Sequence, residues 1–82
     1  MYKDFTERFR QRMEVELIAN TQRKGDFLAW KPERFEEVLQ EVDYHLAKLD
    51  LALSVGNKEQ ISEYAADVGN FMAKIEDLYG DK

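Results

Sequence analysis

With 82 residues the chain has room for one domain, residues 1–82, and too little length to bury a large core, so oligomerisation is an expected route to stability. A net charge of -5 sets aside a nucleic-acid phosphate binder, which needs a basic face, and suits carboxylates gathered around a divalent cation. No cysteine is present, so disulfides and thiolate metal sites are excluded; no apolar run approaches the ~18 residues of a membrane span, the amino terminus is too polar for a signal peptide, and a cytoplasmic location is the default expectation.

Residues 2–21 read as an amphipathic helix. Phe5, Phe9, Met13, Leu17 and Ile18 form its apolar stripe, close to one residue per turn, with Arg8, Arg10, Arg12 and several glutamates outside it. Periodicity then fails over residues 22–31. Gly25-Asp26 is a turn signal, and Pro32 suits the first turn of a second helix. The irregular stretch carries Phe27, Leu28, the only tryptophan, Trp30, and two lysines, Lys24 and Lys31. Trp30 has two readings: a plug over the end of a bundle, or an aromatic wall for a nucleobase with Lys24 close to its phosphates.

Residues 32–54 form the second expected helix, with a core face of Phe35, Val38, Leu39, Val42, Leu46, Leu49 and Leu53. Gly56 fits a left-handed C-terminal cap, and Asn57, with Gln60 three residues on, fits the start of a third helix over residues 57–79. That helix presents Ile61, Tyr64, Val68, Phe71, Met72, Ile75 and Tyr79 on one stripe, with Glu63, Asp67, Asn70 and Lys74 along its edge. The expected fold is all-α: three helices, the last two forming a long antiparallel hairpin because so short a turn joins them.

A hairpin folded at residues 55–57 sets a register in which positions summing to about 112 lie level, at ~1.5 Å rise per residue. His45 then faces Asp67, Glu41 falls near Asn70 and Phe71, and Glu63 sits roughly 5 Å towards the turn. Carboxylates from facing helices suit Mg²⁺ or Mn²⁺, which prefer oxygen ligands and keep waters for a phosphate substrate. The plainer reading makes the acidic groups a solvated helix edge and His45 a hydrogen-bonded, partly buried side chain. No phosphate-binding Gly-rich loop and no nucleophile motif competes for the chemistry.

Lys24-Gly25-Asp26, Trp30, the acidic second helix and the string Glu63-Tyr64-Ala65-Ala66-Asp67-Val68-Gly69-Asn70-Phe71-Met72 together resemble the MazG-like branch of the all-α nucleoside triphosphate pyrophosphohydrolases. Dimeric dUTPases and phosphoribosyl-ATP pyrophosphohydrolases share that superfamily. The similarity covers residues 24–75, and Ala66-Asp67-Val68-Gly69-Asn70-Phe71 is its most specific part. It implies an oligomeric helix bundle, homodimeric or homotetrameric, that uses Mg²⁺ to cleave an NTP or dNTP between the α- and β-phosphates and release pyrophosphate.

The family pattern has Glu-Glu-x-x-Glu on one helix and Glu-x-x-Asp on the next. Aligned on Glu41, this chain has Val42 and His45 at the second and third acidic positions, and Tyr64 stands where the second motif has its glutamate. Alignment one turn earlier keeps Glu37 and Glu41 but moves Glu37 about two turns from the level of Asp67. The expected set is therefore Glu41, His45, Glu63 and Asp67 for metal, with Glu41 and Asp67 catalytic, and Lys24, Trp30 and Asn70 for substrate. A helical oligomer that kept the scaffold and lost the metal ligands, serving as a binding or structural module, is the alternative.

Overall fold

The computed structural model describes residues 1–81 and is all-helical among them. The elements are α1 (Lys3–Lys24), a single 3₁₀ turn (Phe27–Ala29), α2 (Phe35–Val55) and α3 (Lys58–Tyr79). α3 is the shared element: α2 packs along it most extensively and α1 docks on it next. No helix among the described residues is long and apolar enough to cross a membrane.

Local chemistry explains the boundaries. α1 runs three residues past its expected end, until Gly25 leaves the helix at φ +91° with its N–H on the Thr21 carbonyl. The Asp26 carboxylate accepts the Leu28 N–H at 3.0 Å and holds the 3₁₀ turn. Pro32 does not open α2. The Glu37 carboxylate reaches back to accept the Glu33 N–H at 2.8 Å, and Arg34 remains extended as the N-cap, so the helix begins at Phe35.

At the other end of α2, Gly56 adopts φ +71°. Its N–H bonds the Leu53 carbonyl and the Asn57 N–H bonds the Ala52 carbonyl at 3.0 Å, the paired bonds of a Schellman turn. Asn57 Oδ1 then accepts the Gln60 N–H at 3.1 Å and starts α3. Because a side chain at Gly56 meets open space but is strained at that φ, Gly56→Ala is expected to cost about 1 kcal/mol. A thermal melt followed by circular dichroism should show the midpoint fall by roughly 4–8 °C.

The buried apolar set is small: Val38, Val42, Ala52 and Ala66. Five polar or charged residues, Glu16, His45, Asp67, Asn70 and Lys74, are buried beside them. Val38, Val42, His45 and Ala52 recur at four- and three-residue steps, and this seam of α2 is the one turned inward. Phe35, Leu39, Leu46 and Leu53, expected in the core, stay exposed, as do Phe5 and Phe9 on α1. α1 and α2, each packed on α3, have one side covered and the other left bare.

Candidate functional site

All three helices and the 3₁₀ turn contribute to one cleft of about 310 Å³. Leu17, Asn20 and Lys24, spaced at three and four residues, bring one face of α1 to it; the turn adds Asp26, Phe27 and Trp30. α2 supplies Glu41 and His45, and α3 supplies Asp67, Asn70 and Phe71. Six of the seven expected site residues thus share one cavity. Glu63 is not among the lining residues; it lies half-buried one turn from Asp67 and acts on that carboxyl electrostatically.

His45 is buried, and its Nδ1 lies 2.8 Å from the Glu41 carbonyl. A carbonyl only accepts, so Nδ1 carries the proton and Nε2 is left towards Asp67, whose Oδ2 is 4.0 Å away. Burial pushes the Asp67 carboxyl above the usual range; attraction to His45 opposes this, and Glu16 and Glu63 reinforce it. At 4.0 Å His45 and Asp67 are not hydrogen-bonded, and the gap leaves room for a water or an ion between the two helices.

Asn70 is 5% exposed. Its Nδ2 donates to the Met13 carbonyl at 3.1 Å, which ties α3 to α1 and fixes which way the amide points. Asn70 Oδ1 is then a buried acceptor with no hydrogen-bond partner among the described residues, and Asn70 lines the same cleft. Leaving it unfilled carries the desolvation cost of an unpaired polar atom, so a donor from a ligand would be rewarded there.

The aromatic wall is a connected cluster. Phe27 meets Phe71 edge-on with ring centres 5.3 Å apart, Trp30 meets Phe71 at 6.3 Å and 90°, and His45 packs on Phe71 at 5.0 Å. Behind it sits Lys74, 4% exposed, whose Nζ donates to the Phe27 carbonyl and lies 4.7 Å from the Phe27 ring centre and 5.6 Å from that of Trp30. Desolvation, with repulsion from Lys31 added, lowers its pKa. Lys74 therefore straps the irregular stretch to α3 and holds the aromatic wall in place. The regular spacing had placed Lys74 on the polar edge of α3; nothing in the local sequence pairs it with Phe27, because that contact crosses 47 residues.

Among the described residues, no group of three or more His, Asp or Glu side chains stands close enough to hold a metal ion. What one chain brings together is Glu41 at the rim and the His45–Asp67 pair within. Set against known protein families, characterised proteins and solved structures, the chain matches none of them.

Proposed function

We propose that the chain is a divergent Mg²⁺- or Mn²⁺-dependent nucleoside triphosphate pyrophosphohydrolase of the MazG-like, all-α type, acting in the cytoplasm as a homo-oligomer on an NTP or dNTP. The observation that carries this reading is the convergence of Lys24, Trp30, Glu41, His45, Asp67 and Asn70 on a single cleft. Pairing of Lys48 with Tyr64, at 5.1 Å from amine to ring centre, and of His45 with Asp67 supports an antiparallel α2–α3 hairpin.

Two carboxylates in the cleft are of the kind the ion takes, and water and substrate would supply the rest of its shell. Mg²⁺ is commonly held by one or two carboxylates together with waters and substrate phosphates, and Glu41 and Asp67 line one cavity. His45, anchored at Nδ1 by a backbone carbonyl, keeps Nε2 towards Asp67, where it would meet the ion through one of its waters. When bound, such an ion neutralises the triphosphate and lowers the pKa of an attacking water. Phe27, Trp30 and Phe71 receive the base, Asn70 Oδ1 accepts one of its N–H groups, and exposed Lys24 meets the phosphates at the mouth.

A panel of NTPs and dNTPs incubated with Mg²⁺ or Mn²⁺ tests the reading, with pyrophosphate as the product sought. The separation of Glu63 from the cleft lining favours a second reading, a non-catalytic helical module that binds a nucleotide or protein. Absence of turnover together with a melting temperature indifferent to the metal would establish the second over the first.

A further inference from the structure

Three buried polar residues of the cleft, Asn70, His45 and Asp67, all offer acceptors. Asn70 Nδ2 is spent on the Met13 carbonyl, which leaves Oδ1 without a hydrogen-bond partner among the described residues. His45 carries its proton on Nδ1, so Nε2 presents a lone pair across the 4.0 Å gap to Asp67. The Asp67 carboxylate adds the third acceptor. Such a set is matched by a ligand group that donates and does not accept.

Charge and walls favour the same kind of group. Asp26, Glu41 and Asp67 line the cleft against one cationic side chain, exposed Lys24. Its aromatic side holds Phe27 and Trp30, whose rings already take an ammonium: Lys74 Nζ lies 4.7 Å and 5.6 Å from their centres. Aromatic faces attract cations, more strongly where water is excluded. Lys74 is not among the lining residues and has Asp26 and Asp77 as its own counter-charges, so Glu41 and Asp67 remain to balance a second cation.

We propose that the cleft binds a small primary alkylammonium, its N–H groups on Asn70 Oδ1, His45 Nε2 and Asp67 and its short chain against the aromatic wall. An alkylammonium brings three donors and no acceptor, so it fills the orphaned amide oxygen without burying a lone pair of its own. The cavity of about 310 Å³ lies within the range of small-molecule sites. Asn70 Oδ1 is covered while α1 is seated, so α1, packed less extensively on α3 than α2 is, gives way slightly to admit the amine. The inference goes beyond the nucleotide reading and does not rest on it: neither phosphate nor divalent ion takes part, and amine and base would exclude each other from one wall.

Trp30 is the only tryptophan, so its emission reports the cleft directly. The wild-type protein, in chelator-treated buffer at neutral pH without nucleotide, is titrated at constant ionic strength with n-butylammonium, tetramethylammonium and n-butanol. A saturable change with n-butylammonium is the expected result. Tetramethylammonium, which keeps the charge and has no N–H, and n-butanol, the uncharged analogue, should each bind at least tenfold more weakly. Asp67→Asn should weaken n-butylammonium binding at least tenfold with helical circular dichroism unchanged. No saturable change up to tens of millimolar n-butylammonium, equal binding of either control, or unaltered affinity in Asp67→Asn would each overturn the inference. Pyrophosphate release is measured separately, so failure of the nucleotide reading is told apart from failure of this one.

Discussion

Asp67→Asn is expected to lower pyrophosphate release by at least about a hundredfold, or roughly 2.7 kcal/mol of transition-state stabilisation, while the helices stay intact. Asparagine keeps the size of the side chain but cannot become the carboxylate that an ion or a proton from water requires. The same substitution should not destabilise the metal-free protein at neutral pH. Asp67 is 8% exposed and its folded pKa lies above its unfolded one, so the folded state binds the extra proton between the two values. Stability contributed by this group is therefore greatest below the unfolded pKa and falls as pH rises through the folded one. Asparagine mimics the neutral form at every pH. Melting curves in chelator-treated buffer between pH 4 and 8 should show the wild type losing stability across that window and the variant losing less. Full turnover by the variant would remove Asp67 from the chemistry, whatever the melting curves showed.

The second large effect is expected at Lys74. Lys74→Met keeps the apolar stem and removes the ammonium that holds the Phe27 carbonyl. A hydrogen bond from a charged donor is worth about 1.5–3 kcal/mol, so the strap carrying Phe27 and Trp30 should loosen and nucleotide affinity should fall tenfold or more. Trp30 is the only tryptophan and is half-buried, which makes its emission a direct reporter. A red shift in the variant without ligand is the expected sign. If emission and affinity both remain those of the wild type, the strap does not depend on this lysine.

Much of the architecture is legible in the residues because its signals are local. Three- and four-residue recurrence marks all three helices, and Gly56-Asn57 marks the turn between α2 and α3 by cap chemistry alone. So short a turn also carries register over a distance, which is why His45 can be set opposite Asp67 by counting. The start of α2 is less legible. Pro32 is a sound first-turn residue, yet the Glu37 carboxylate wins by capping from within.

The choice of buried seam is also out of reach of local patterning. Apolar residues cover a broad sector of α2, and only packing on α3 selects Val38, Val42 and Ala52 over Leu39, Leu46 and Leu53. In the cleft, Lys24, Trp30, Glu41, His45, Asp67 and Asn70 are readable from motif and register. Leu17, Asn20, Phe27 and the strap made by Lys74 join from segments whose approach no local pattern encodes.

Docking of α1 chiefly on α3 has a kinetic consequence. Hydrogen exchange should reach α1 amides at a lower opening free energy than those in the α2–α3 pair, so the first helix breathes as a separate unit. Since Leu17, Asn20 and Lys24 ride on it, each such excursion also withdraws one wall of the cleft and exposes Asn70 to incoming solute. Passage into the cavity should then follow this opening of α1, and shortening the lifetime of the open form should slow a ligand's arrival and its departure together.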